Sequence, residues 1–133
     1  GLGWKTFVSY EPALGPVDWS GWEFLHQLIS GGESGPKARP SHPDWHRAAR
    51  DFAEAHGIAY LFKQWGDFSA CRITAEEFMN PHPLREGERV LSGNGTFAGA
   101  PEDETCTVMR RVGKKAAGRL LDGVEHNQFP EAA

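Results

Sequence analysis

Cysteine is scarce in this chain. Cys71 and Cys106 are the only two among 133 residues, and they stand far apart with no CxxC spacing. Two thiolates fall short of the three or four that an iron–sulfur cluster takes. Neither cysteine has histidines at metal-ligand spacing, so both read as reduced thiols and no metal site is expected from this chain alone. Long apolar runs are missing too. No stretch approaches the ~20 residues of a membrane span, and nothing at the start has the three-part layout of a signal peptide. This predicts a soluble, cytoplasmic protein with no membrane partner.

An excess of positive charge is also lacking. The formal net charge is −4, which argues against wrapping nucleic acid over the whole surface. One segment departs from that balance: RRVGKKAAGR, residues 110–119, carries Arg110, Arg111, Lys114, Lys115 and Arg119 without an acid. It reads either as a solvated face or as an anion-binding surface for nucleic acid or a phosphorylated ligand, with Gly113 and Gly118 leaving room for a phosphate.

What is abundant is punctuation, 16 glycines and 9 prolines, and it divides the chain into short elements. KTFVSY (5–10) is β-branched and aromatic and stops at Glu11-Pro12, as a strand would. Ser20 precedes Glu23 at capping-box spacing, and Trp22, Phe24 and Leu25 supply apolar surface for a short helix. HQLIS (26–30) is too short for a helix and ends at Gly31-Gly32, which predicts a second strand.

In the next segment Pro43 suits a first helical position, Trp45, Ala48, Ala49, Phe52 and Ala53 recur at helical spacing, and Gly57 sits where a left-handed cap belongs. IAYLF (58–62) is a nearly continuous apolar run, the pattern of a strand covered on both faces. Together these three elements make one βαβ unit. Residues 67–105 read as an irregular insertion, apart from a capped stretch at 74–79 and a hairpin around Gly93-Asn94-Gly95. CTVMRRV (106–112) is again strand-like. The fold class is therefore α/β, a partial parallel barrel or open parallel sheet, in one domain of 133 residues. A start at GLGWKTFVSY, with no methionine, reads as a portion of a longer protein whose N-terminal region would be its first partner.

Parallel strands collect their carboxyl ends, and the loops leaving them, along one edge, where α/β sheets and barrels bind ligands. Here those ends carry Ser9-Tyr10-Glu11, Gly31-Gly32-Glu33 and Lys63-Gln64-Trp65. Glu11, Gly31, Gly32, Glu33, Lys63, Gln64 and Trp65 are accordingly the candidate site for a small-molecule ligand. Glu33 is the group expected to face an amino-bearing ligand, with Lys63 as its counter-ion. The competing reading is an internal ion pair of Lys63 with Glu11 or Glu33, and Trp65 as a plug at the sheet's end. The glycines around Glu33, with Lys37 and Arg39 near, admit an anion cradle or a plain surface turn. His42, Asp44 and His46 resemble a metal set, but Pro43 starts the helix between the histidines and leaves His42 as a cap.

Four blocks, FVSYEPALGPVD, GGESGPKARPSHPDW, FKQWGDF and VGKKAAGRLLDG, in this order resemble the C-terminal part of a phage-associated family of unknown function. Its full-length members carry an N-terminal cysteine motif and are likened to radical-SAM enzymes. The resemblance implies a partial parallel barrel and the substrate side of such an enzyme, inert as a fragment. It admits S-adenosylmethionine as a cofactor of the full-length protein, none being bound by this chain alone. Gly31-Gly32-Glu33 matches in letters the trio that contacts the cofactor's amino group in radical-SAM proteins. The preceding loop EPALGPVDWSGW has no cluster cysteines, so a substrate-binding role for the trio stays open beside the cofactor role.

Overall fold

A computed structural model describes residues 5–71, 84–98 and 104–131, with the side chains of Cys71 and Ala98 excepted. The parallel sheet comes first. Strands β1 (Phe7–Tyr10), β2 (Gln27–Ser30) and β3 (Ala59–Phe62) lie in the order β1-β2-β3. Helix α1 (Pro43–Ala55) connects β2 to β3 and makes the βαβ unit. Register places Val8, Leu28 and Tyr60 in one row and Tyr10, Ser30 and Phe62 in the next but one. Side chains alternate across a strand, so these rows share the face on which Ala49 and Ala53 of α1 pack. Trp19, Leu25, Ile58 and Leu121 complete that core.

The opposite face is only partly covered among the described residues: Phe7 is 66% exposed, and Ile29 and Leu61 are half-buried. The apolar run of β3 had suggested burial on both sides. Nor does the sheet close into a barrel among these residues. The outer edge of β3 is taken by a C-terminal strap, with Phe62 N–H donating to the His126 carbonyl and Gln128 N–H to the Tyr60 carbonyl, both at 3.1 Å. The Gln128 side-chain oxygen accepts from Tyr60 N–H at 3.0 Å, so the edge has few free groups left there.

Helix α1 begins as the sequence requires. The His42 imidazole caps it by accepting from Asp44 N–H at 3.0 Å, and Pro43 fills the first turn. Gly57 ends it at φ +65°. The short helix expected after Ser20 is absent. Gly21 takes φ +91°, the Asp18 carboxylate accepts from Ser20 N–H, and the segment runs as successive turns at Trp19–Trp22 and Trp22–Leu25.

The region read as an irregular insertion contributes to a second sheet, antiparallel, in the order β4-β7-β5-β6. Its strands are β4 (Phe68–Cys71), β5 (Glu88–Leu91), β6 (Phe97–Ala98) and β7 (Thr107–Arg111). The hairpin around Gly93–Gly95 is present as the β5–β6 connection, and the stretch at 74–79 lies outside the described residues. Phe68, Leu91 and Met109 pack with Ala13, Ala38 and Trp45 in a second core that joins the two sheets. A short helix α2 (Lys114–Ala117) and the two-residue strands β8 (Leu120–Leu121) and β9 (Val124–Glu125) finish the described chain. Asp122, in the β8–β9 turn, is gripped by Arg47 at 2.8 Å and Arg50 at 2.6 Å, which ties this hairpin to α1. The two guanidiniums, hydrogen-bonding from Arg47 first, hold the Asp122 carboxyl down to about 2.

Candidate functional site

The loops leaving β2 and β3 run side by side and extend the ladder past the strand ends. Lys63 N–H donates to Ser30 O at 2.8 Å, Gly32 N–H to Gln64 O at 2.8 Å, and Asp67 N–H to Glu33 O at 3.1 Å. The approach is close enough to exclude a Cβ: one built on Gly32 would stand 1.8 Å from the Trp65 carbonyl oxygen, and one on Gly66 2.1 Å from the Glu33 oxygen. These two glycines serve backbone-to-backbone contact.

Gly31 has a different role. Its N–H and carbonyl bind Tyr10 O and Ala13 N–H, which pins the loop after β1 to the end of β2. Because it has no side chain, groups from the strands on either side meet across it. Lys63 Nζ lies 3.5 Å from Glu11 Oε1, and a Cβ on Gly31 would fall 3.3 Å from the other Glu11 oxygen. Ser9 Oγ donates to the same Glu11 oxygen as Lys63, at 2.8 Å. The Lys63 side chain is 55% exposed and that of Glu11 25%, so the pair faces solvent at the junction of three strand ends.

Glu33 does not pair with Lys63. Its carboxylate receives Arg39 Nε and Nη2, both at 2.9 Å, and Arg39 N–H at 3.0 Å. The residue closes its own loop, and the hydrogen bonds from Arg39 hold its carboxyl below the usual range. The same loop also directs carbonyls at a cation. The carbonyls of Gly35, Pro36 and Ala38 are turned toward the Arg111 guanidinium, 3.1 to 3.4 Å away, which Asp67 holds at 3.0 Å from the other side. Lys37 is exposed. Trp65 behaves as a plug, its indole N–H donating to Leu120 O at 2.7 Å and its ring set edge-on against Phe62 and His46.

Beneath that plug lies a buried polar chain that the linear sequence did not single out. Ser41 Oγ is 2.7 Å from His46 Nε2, His46 Nδ1 is 3.0 Å from Ser30 Oγ, and Ser30 Oγ is 2.6 Å from the Tyr60 hydroxyl. His46 is fully buried, and burial, with the nearby His42 second, pushes it down to about 3, so it is neutral. The available signal was helical spacing: His46, Ala49 and Ala53 share the buried face of α1. His42 spends both nitrogens, on the cap and on the Thr105 carbonyl. Neither histidine is placed as a metal ligand, and among the described residues no group of three His, Cys, Asp or Glu is placed to hold a metal.

The basic run is divided. Arg110 pairs with Glu88 at 2.8 Å, Arg111 is bound as above, and Arg119 meets Glu125 and Asn127. Lys114 and Lys115 are the exposed remainder, on α2. Two cavities stand apart from the predicted site residues. One, of about 700 Å³, lies between the first turns of α1 and the β5–β6 turn. The other, of about 910 Å³, lies between the C-terminal half of α1, the start of β3 and the 124–131 strap. Glu11, Gly31, Gly32, Glu33, Lys63, Gln64 and Trp65 line neither.

A three-stranded parallel sheet with a βαβ crossover, an antiparallel sheet beside it and charged groups at the strands' carboxyl ends define a mixed α/β protein. Residues 3–130 match the family described as "Protein of unknown function (DUF5131)", and the chain belongs to it. No curated protein and no solved structure matches. Within the described residues no helix is long and apolar enough to cross a membrane.

Proposed function

We propose that this protein binds a small ligand carrying charges of both signs at the carboxyl edge of its parallel sheet. Glu11 receives the ligand's ammonium group and Lys63 its carboxylate or phosphate. The observation that carries this reading is the Glu11–Lys63 pair meeting across side-chain-less Gly31. An exposed pair of this kind contributes only about 0.2–1 kcal/mol, so stability is a weak reason for it. It lies at the carboxyl ends of parallel strands, the edge on which α/β sheets take their ligands. Gln64 and Trp65 border the pair in sequence.

The fuller reading, the substrate side of a phage-associated radical-SAM-like protein, is supported by the four-block resemblance and by the parallel βαβ unit. The Gly31-Gly32-Glu33 trio does not fit the S-adenosylmethionine amino group as it stands. Glu33 is taken by Arg39, and Gly32 N–H by Gln64. That favours the substrate role for this edge. Nucleic-acid binding through 110–119 has less support, because three of its five cations are engaged within the chain.

Titrating ¹⁵N-labelled protein with methionine, S-adenosylmethionine and adenosine separates these readings. The amides of Gly31, Lys63 and Gln64 are expected to shift first with the two zwitterionic compounds and to stay still with adenosine. Shifts confined to 110–119, or none in the loops after β1, β2 and β3, would contradict the proposal.

A further inference from the structure

We propose that the cavity of about 700 Å³ between α1 and the β5–β6 turn binds a small apolar cation, an aryl or alkyl ammonium. The site is separate from the Glu11–Lys63 edge and shares no residue with it. Its volume falls in the roughly 300–1,000 Å³ range of small-molecule sites. The segments that form it leave the carboxyl ends of β1 and β2 and meet the second sheet there.

Most of the cavity's open surface is apolar, although Ser92, Asn94 and Thr105 also line it. Pro16 and Val17 come from the loop after β1, and Trp45 and Ala48 from successive turns of α1. Trp45 is a core residue, only 4% exposed, with its Nε1–H spent on the Gly93 carbonyl at 2.7 Å, so the small part of it that reaches the cavity adds apolar surface.

The charge at this site has one sign. Asp44 and Glu104 are its ionisable lining residues among those described, and no Lys or Arg is with them. Arg47, outside the lining, pairs with Asp44 at 2.9 Å while also pairing with Asp122 at 2.8 Å, so Glu104 supplies most of the attraction for a cation. An anion would ordinarily be attracted to the first turn of a helix. Here the His42 ring already accepts from Asp44 N–H, and Asp44 sets a carboxylate at that end. A mostly apolar wall with an acidic rim therefore selects a ligand that is apolar in body and cationic in head.

Three probes of one shape and different charge test this: benzylammonium, benzyl alcohol and benzoate, followed by amide and indole shifts. Benzylammonium is expected to move the Trp45 indole N–H and the Gly93 and Asn94 amides. It should bind up to about 5-fold more tightly than the alcohol, the upper end for one exposed charge pair, while benzoate moves none of the three groups. Glu104→Gln should remove most of the ammonium's advantage. Ala48→Leu, at an exposed helical position where leucine is well tolerated, should block both binding probes with little change in Tm. Shifts that miss these groups, equal affinity for the three probes, or unchanged binding in the Ala48→Leu protein would each overturn the assignment.

Discussion

Gly32→Ala is expected to cost about 3 kcal/mol or more, or to prevent folding altogether. The added methyl would stand 1.8 Å from the Trp65 carbonyl oxygen, 2.7 Å from its carbon and 3.5 Å from its Cα. All three are backbone atoms with no rotamer to yield, so the two loops must part. Parting breaks the Gly32–Gln64 hydrogen bond and disturbs Gly66, which approaches Glu33 just as closely. Steric insertion into packed backbone belongs to the short list of mechanisms with effects of this size. Gly15→Ala is the control: a Cβ there meets nothing within 4 Å, and stability should change by no more than about 0.5 kcal/mol. Chemical denaturation of both variants checks the pair, and equal stabilities would mean the loops are not in contact.

Acidification from pH 7 to pH 5 is expected to cost about 2 kcal/mol through His46. The sign follows from which form the fold accepts. His46 sits at about 3 in the folded chain and near 6.5 once unfolded, so the unfolded state binds the proton first. Stability is full above the unfolded value and is lost as the pH falls toward the folded one. The window between pH 6.5 and 5 lies above the ordinary titration of carboxylates. His126, also pushed down mainly by burial, adds loss of the same sign, so His126→Gln is the companion variant. Urea midpoints should fall between pH 7 and 5 in the parent and in His126→Gln, and fall much less in His46→Gln. A slope unchanged by His46→Gln would mean that burial does not hold the imidazole neutral.

The elements that carried their own punctuation were legible in the sequence. Helix α1 has Pro43, the period of Trp45, Ala49 and Ala53, and Gly57, all within one segment. The three parallel strands are bounded by Pro12, by Gly31-Gly32 and by Gly57 and Gly66. The antiparallel sheet was not legible as such, because β4 and β5 both pair with β7 and neither partner is a local signal. The turn at Ser20 shows the reverse error. Glu23 stood at the right spacing, yet its carboxylate accepts from Gly21 N–H at 3.3 Å, and Gly21 adopts a backbone angle no helix uses.

The ion pairs at the site followed geometry that strand adjacency did not predict. Lys63 and Glu33 leave neighbouring strands, so pairing them was the simple choice. Arg39 was nearer to Glu33 along the chain, and its planar fork matches a carboxylate in two places at once. Lys63 instead reaches past the middle strand to Glu11, across Gly31, where a Cβ would crowd the Glu11 carboxylate at 3.3 Å. The polar chain under Trp65 was hidden for another reason. Ser30, Ser41, His46 and Tyr60 come from three elements and the β2–α1 loop, and only the packing of α1 on the sheet brings them together.

The central claim is that Glu11 and Lys63 act together on one ligand, and a double-mutant cycle on methionine affinity tests it most directly. Glu11→Gln and Lys63→Ala should each weaken binding about tenfold, the loss of one charged hydrogen bond. Lys63 is exposed and Glu11 half-buried, so denaturation midpoints of each variant accompany the titrations, and the double variant should bind no methionine at the concentrations tried. Wild-type affinity in the two single variants, or a loss of binding on replacing Lys114 and Lys115 instead, would contradict the account.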